Sequence, residues 1–272
     1  MLINLQKHYI IKEICYMRIH PSGRHMKKYI DIHSHIIPGV DDGARSIDTS
    51  MRMLQIAADD GISEIILTPH NKPGHHPVDF SALASKVEEL QKRLSENDTA
   101  IKLYIGNEIY YRSELVSEIE NGLAATLAGT HYVLVEFGPL EDYDYIRSGI
   151  YTLLMNGYRP VLAHAERYRN IRVKKSGLED LAAMGCYIQL NADSIMGKYG
   201  FEVRQFIRKL LKKELVHFIA TDAHDIDKRA PRLSACAEYI TKKYGEDYAS
   251  DLLYGNPYKA IRDEEIPIWK NR

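Results

Sequence analysis

With 272 residues, the chain is long enough for one large α/β domain or two smaller ones. A hydrophobic share of 45% is ordinary for a soluble globular protein, and 36 basic against 37 acidic side chains leave a formal net charge of -1. That balance argues against a generic nucleic-acid or anionic-membrane surface and leaves room only for a local basic patch.

No run of about 18 apolar residues occurs, so no membrane insertion is expected. Cys15, Cys186 and Cys236 are odd in number, widely spaced and form no CxxC pair. They read as reduced thiols in a cytoplasmic protein. Residues 1–25 mix basic residues with short apolar bursts but offer no long apolar core and no small-residue cleavage site, which disfavours a secretory signal. They are expected to be a dispensable or disordered extension, with an amphipathic self-association segment as the alternative. Met26 opens MKKYIDIHSH just before the first strand, so residues 26–272 form the expected single domain.

From there short apolar runs alternate with helical stretches. The first strand is expected at 29–33, followed by a helix over 47–60 with apolar Met51, Leu54 and Ala58 on one face and Gly61 as its stop. A strand at 62–68, a helix at 80–95 and a strand at 100–106 come next. They are followed by a strand at 132–137, a helix at 145–156, a strand at 160–164, a helix at 176–184 and a strand at 186–191. A helix at 201–213, a strand at 215–221 and helices at 232–244 and 247–254 complete the chain. The apolar runs VLVEF, EIILT and HFIAT are short and β-rich, as strands buried on both faces should be. Seven such strands interleaved with helices predict a parallel α/β barrel. A doubly wound sheet would need a Gly-rich phosphate loop after the first strand, where His33-Ser34-His35 stands instead.

The polar outliers gather at one end of these strands. His33 and His35 close the first and His70 the second; Glu108 closes the third, Glu136 the fourth and His164 the fifth, while Asp222 and His224 follow the last. In a parallel barrel the C-terminal strand ends share a face, where sites are built. One histidine at a strand end is usually packing. Six of seven strand ends supplying His, Asp or Glu is different, because buried charges without partners are unfavourable. A metal cluster resolves the conflict. Imidazole with carboxylate suits Zn, Mn or Fe, and the lack of nearby Cys argues against a structural zinc site. Residues i and i+2 of a strand share a face, so both imidazoles of His33-Ser34-His35 can reach one ion. Asp222-Ala223-His224 repeats that spacing.

In order, DIHSHIIPGVDDG, TPHNKPG, GNEIYY, VLVEF, PVLAHAERY and ATDAHDIDKR resemble the polymerase and histidinol phosphatase (PHP) superfamily. More closely, they resemble its manganese-dependent bacterial tyrosine phosphatases of capsule and exopolysaccharide loci. The resemblance runs from about Tyr29 to Pro257. It implies a distorted (β/α) barrel of about seven parallel strands holding three divalent ions, most simply Mn2+, with Fe or Zn as alternatives. By position, His33, His35, Glu108 and Asp222 would hold the first ion. Glu108, Glu136 and His164 would hold the second, and Asp42, His70 and His224 the third. Arg167 and Arg229 fall where the family places its phosphate-gripping arginines. Thr221 stands where relatives often have Ser.

The implied activity is hydrolysis of phosphotyrosine monoesters, on the phosphotyrosine tail of a bacterial tyrosine kinase that controls polysaccharide export. Guanidinium forks match phosphate bidentately, so Arg167 and Arg229 suit a monoester dianion. Asp225 and His70 are the candidate general acids. Tyr110 and Tyr111 either line a cleft for the phosphotyrosine ring or pack on the barrel rim. A cysteine-based phosphatase needs Arg six positions after its Cys; Pro21, Ala192 and Lys242 occupy those positions, so none qualifies. Two alternatives stay open: a small-molecule phosphatase such as histidinol phosphatase, and a non-catalytic metal-binding scaffold.

Overall fold

Runs of β-branched and aliphatic residues buried on both faces form the strands of this chain, as parallel pairing requires. The computed structural model describes residues 28–72, 80–174 and 176–268; the expected extension over 1–25 lies outside the described residues. Among the described residues nine strands occur: β1 (Tyr29–Ser34), β2 (Ile62–Leu67), β3 (His70–Asn71), β4 (Lys102–Ile105), β5 (Glu108–Tyr110), β6 (Tyr132–Glu136), β7 (Arg159–Leu162), β8 (Tyr187–Asn191) and β9 (Phe218–Ala220). They pair in parallel as β1-β2-β4 and as β3-β5-β6-β7-β8-β9.

The two sheets belong to one curled array. β2 resumes as β3 after Thr68-Pro69, and β4 resumes as β5 after Gly106-Asn107, so two of the seven expected strands are each broken in two. Pro69 has no N–H to give a ladder, and the Asn107 side chain takes over locally, donating to Pro69 O at 2.9 Å and accepting from Ala125 N at 2.9 Å. Beyond the breaks, His70 pairs with Glu108. At the other edge β9 meets β1: Asp222 N donates to His33 O at 2.9 Å and His35 N to Ala223 O at 2.8 Å. These seams make the array the expected barrel.

Helices α1 (Ile47–Asp59), α2 (Phe80–Glu96), α3 (Leu115–Glu120), α4 (Tyr143–Met155), α5 (Arg169–Val173), α6 (Gly177–Met184), α7 (Ala192–Ile195), α8 (Gly200–Lys212), α9 (Ser234–Tyr244), α10 (Glu246–Ser250) and α11 (Asn256–Ile261) follow the strands. The larger core cluster joins apolar side chains of the main helices to those of the strands, such as Met53 and Leu54 with Ile65 and Leu67. The expected last helix at 247–254 instead runs as α10, one wide π turn over Asp251–Gly255 and then α11. Gly255 and Pro257, a poor helix former and a residue without N–H, sit where the wide turn gives way to α11.

A smaller cluster holds Ile30, Ile32, Ile66, Tyr132, Leu134, Val161, Tyr187 and Phe218, with Ala260 and Ile266 from the C-terminal segment. That segment is fastened by Tyr132 Oη donating to Glu264 O at 2.7 Å and Tyr187 Oη to Ile266 O at 2.8 Å. One seam uses a buried imidazole. His217 Nδ1 accepts from Ile188 N at 3.0 Å while its Nε2 donates to Ile268 O at 3.3 Å. Burial lowers its pKa to about 4.

The unfolded chain protonates this group near pH 6.5 and the folded chain only near 4, so the unfolded state binds more protons between those values. Stability therefore falls as pH drops from about 6.5 to 4, by ~3 kcal/mol in all. Urea unfolding between pH 7 and 4.5 should show a flatter pH slope for His217→Gln than for wild type.

Candidate metal centre

Ile30 and Ile32 sit in the barrel-interior cluster, so strict alternation would turn His33 and His35 outward. The β1–β2 register shifts between Asp31 and Ser34, where β1 advances three residues against two of β2. Such a bulge resets which face the next side chains occupy. His33 and His35 consequently face inward, with their rings 5.3 Å apart.

The first donor set is tight. His33 Nε2 lies 3.3 Å from His35 Nε2, 3.4 Å from Glu108 Oε2 and 3.5 Å from Asp222 Oδ1. His35 Nε2 lies 3.4 Å and 3.5 Å from the same two oxygens. Four donors around an ion at about 2.1 Å would stand about 3.4 Å apart if tetrahedral. The three donors of His33, His35 and Glu108 match that spacing and form one group, and Asp222 Oδ1 flanks both imidazoles at 3.5 Å.

The imidazoles are aimed by partners on their other nitrogens. His35 Nδ1 donates to Asp41 Oδ2 at 2.7 Å, and His33 Nδ1 donates to Gln189 Oε1 at 3.2 Å. His224 Nδ1 donates to Asp222 O at 2.9 Å. Each bond fixes the tautomer that leaves Nε2 free to bind a cation. Asp41 also accepts from Gly43 N at 3.0 Å and His70 N at 3.1 Å, so it orders the loop as well as the ring. Gly43 is required here: a Cβ at this position would stand 2.0 Å from His35 O.

Two further groups could hold an ion: His70, Glu108 and Glu136, and His35, Asp42, His70 and His224. His70 belongs to both. Its Nδ1 lies 2.8 Å from Glu108 Oε2 and 3.4 Å from Glu136 Oε1, and its Nε2 lies 3.4 Å from Asp42 Oδ1. His224 Nε2 faces Asp42 Oδ1 at 3.4 Å. His164 Nε2 lies 2.7 Å from Glu108 Oε1 and 3.7 Å from Glu136 Oε2. Glu108 Oε2 and His70 Nδ1 are buried without a well-formed hydrogen bond, and Glu136 Oε1 has the Lys72 ammonium at 2.9 Å. Lone pairs so placed fit metal ligands.

Electrostatics agrees. Burial would lower the pKa of His35 and His70, yet the carboxylates around them win. Hydrogen bonding to Asp41 and Glu108 raises His35 to about 9, and Asp42, Glu108 and Glu136 raise His70 to about 12. The His224 and His70 contacts hold the Asp42 carboxyl far below its ordinary value. Four carboxylates here call for positive charge, which Lys72, Arg167 and Arg229 supply in part and bound metal ions would complete.

His164 and Asp222 sit in left-handed backbone at φ 34° and 52°. Non-glycine residues avoid that region unless their surroundings hold them there. His164 N donates to Gln189 Oε1 at 2.7 Å. Asp222 accepts at Oδ2 from Asn191 Nδ2 at 2.8 Å and from Arg167 Nη2 at 2.8 Å, and Arg229 Nη2 reaches Oδ1 at 2.8 Å. Both arginines open onto a cavity of about 250 Å³ walled by the donor groups and by Phe137, Pro139 and Tyr168.

Residues 29–262 match the sequence model of a family described as capsular polysaccharide synthesis, CpsB/CapC. The chain belongs to this family. Tyrosine-protein phosphatase CpsB of Streptococcus pneumoniae is 33% identical over 242 residues, covering 87% of this chain and 100% of that protein. Tyrosine-protein phosphatase YwqE of Bacillus subtilis (strain 168) is 33% identical over 238 residues, covering 87% and 93%. A solved structure from work on YwqE and CpsB, described there as unique metal-dependent tyrosine phosphatases, matches with a TM-score of 0.80 at 33% identity. It covers 87% of this chain and 96% of that one. A phosphotriesterase homology protein from Escherichia coli, complexed with phosphate in its active site, matches with a TM-score of 0.54 at 12% identity, covering 85% and 97%. That likeness concerns the fold alone.

In this CpsB/CapC chain the nine expected ligands and both arginines gather at one end of the barrel, with His70 serving two groups rather than one. Of the two alternatives for Tyr110 and Tyr111, packing is the one observed, and Asp225 falls outside the metal cavity. Tyr111, one residue out of phase with Glu108, is only 8% exposed and packs on Phe137 and Tyr145 at 5.0 and 5.6 Å, so it does not line the cavity. Tyr110 is also absent from the cavity wall; its hydroxyl packs beside Gly138. At Asp225 burial, the largest single influence, raises the pKa, but the backbone N–H groups of Arg229, Asp227 and Lys228 together outweigh it and the net shift is downward, the wrong direction for a general acid. Cys186 and Cys236 are free and buried, their thiols pushed up to about 12 by burial, so neither is a nucleophile.

Sequence reasoning missed Gln189 and Asn191. Gln189 Nε2 donates to Asn191 Oδ1 at 2.8 Å, joining His33, His164 and Asp222 through one strand. Two amides at i and i+2 inside the apolar run YIQLN were the available signal. Gln189→Leu leaves the His33 and His164 donors and the Asn191 oxygen unpaired in the core. Chemical denaturation should show a loss of about 3 kcal/mol or more, at about 1–3 kcal/mol for each of the three stranded groups.

Proposed function

We propose that this chain is a divalent-metal-dependent protein tyrosine phosphatase. On this reading it acts in the cytoplasm on the phosphotyrosine tail of a bacterial tyrosine kinase controlling capsular or exopolysaccharide synthesis. The carrying observation is that the two imidazoles of His33 and His35 stand 3.3–3.5 Å from each other and from Glu108 and Asp222, with two guanidiniums bonded to Asp222 at the mouth of the cavity. Membership of the CpsB/CapC family and the names of its relatives support the substrate class.

Three ions, most simply Mn2+, would be held by His33, His35, Glu108 and Asp222; by Glu108, Glu136 and His164; and by Asp42, His70 and His224. When bound, such ions supply Lewis acidity, lowering the pKa of water and offsetting charge on phosphoryl oxygens. The protein's own groups do the rest. Arg167 and Arg229 each use only Nη2 on Asp222, which leaves further N–H donors for the phosphoryl group. Asp41 and Gln189 hold the imidazoles in one tautomer. Phe137 and Tyr168 offer an apolar wall for a phenyl ring. A phenolate leaving group, with pKa of about 10, needs less acid assistance than an alkoxide.

Metal quantification combined with turnover of a phosphotyrosine peptide tests this reading. Chelation should abolish hydrolysis and manganese should restore it. His164→Ala and Asp222→Ala should remove activity, and Arg167→Ala or Arg229→Ala should lower it by about 10²-fold. Unchanged turnover in Asp222→Ala would rule the reading out.

A further inference from the structure

A second cavity, of about 350 Å³, adjoins the metal cavity and shares Asp42, His224 and Arg229 with it; Gly43, Arg45, Thr49 and Asp225 complete its wall. Its charges are not equivalent. Asp225 Oδ1 accepts from the backbone N–H groups of Asp227 at 2.7 Å and Arg229 at 2.9 Å, which ties that carboxylate to its own loop. Asp42 faces the imidazoles of His70 and His224, and Arg229 is tied through Nη2 to Asp222. Arg45 is exposed and, among the described residues, makes no hydrogen bond or ion pair. It is a guanidinium without an internal anion, on the wall of a depression that runs into the candidate catalytic cavity.

We propose that this second cavity is a subsite for an acidic side chain flanking the phosphotyrosine, with Arg45 as its anchor. The inference rests on the phosphatase reading and narrows its substrate class. An extended peptide advances roughly 3.3–3.6 Å per residue. With a wall common to both cavities, the residue entering the second lies one or two positions from the phosphotyrosine in the first. A guanidinium fork pairs with a carboxylate through two parallel N–H bonds, so Asp or Glu at that position is recognised over Asn or Gln.

The test measures kcat and KM of the manganese-loaded protein on two phosphotyrosine peptides identical except that flanking Asp and Glu in one become Asn and Gln in the other. Wild type should show a KM about fivefold lower for the acidic peptide, as an exposed ion pair allows, with similar kcat. Arg45→Ala should erase that ratio, Arg45→Lys should restore part of it and Arg45→Glu should reverse it, with melting curves checking that each variant folds. Equal KM values in wild type, or a preference that survives in both Arg45→Ala and Arg45→Glu, overturn the subsite while leaving the phosphatase reading intact. Hydrolysis of neither peptide by wild type overturns both.

Discussion

Glu108 has no solvent exposure, and burial opposes its ionisation. It stays anionic, well below the ordinary carboxylate range, because His33, His164 and His35 surround it. Much of the upper barrel follows from that requirement. The break between β4 and β5 sets Glu108 beside His70, the bulge in β1 turns two imidazoles toward it, and Asp41 and Gln189 stop those rings from rotating. Such a charge could not remain in an apolar interior without compensation. Here the compensation and the chemistry use the same groups.

Asp222 plays the complementary part at the mouth. It touches the first donor set on one side and both arginines on the other, and Asn191 ties it to the strand beneath. The groups suited to a cation and those suited to an anion therefore share one carboxylate, so displacement of either arginine is felt by the donors below it. The left-handed backbone at Asp222 and His164 belongs to the same economy of space. Two side chains leave strand ends at angles that regular strand geometry does not give.

Much of this was legible in the chain itself. Strand ends showed their chemistry because an apolar run seldom closes on His, Asp or Glu unless those groups converge on a shared ion or partner, and the i, i+2 spacing of His33 and His35 named a shared face correctly. What period alone could not supply was the bulge, since nothing in YIDIHSH announces an extra residue, and the parity of Ile30 and Ile32 points the other way. The strand breaks were half visible in Pro69 and Gly106. Tyr110 and Tyr111 invited an aromatic cleft through proximity to Glu108 in sequence, but adjacent residues of a strand face opposite sides, and Tyr111 went to the helical layer. Gln189 and Asn191 escaped notice because amides carry no charge, although alternating amides in a buried strand must satisfy one another or something polar.

The seam between β9 and β1 has a bearing on how the protein matures. Asp31 in the first strand bonds Thr221 in the last across 190 residues of sequence, and Asp222 and Ala223 close the ring against His33 and His35. The donors of the first set thus come from opposite ends of the described chain. During synthesis the two histidines emerge early, with Asp41 close behind, whereas Asp222 follows only when nearly the whole barrel has been made. The full donor set is therefore complete only once the last strand has closed on the first.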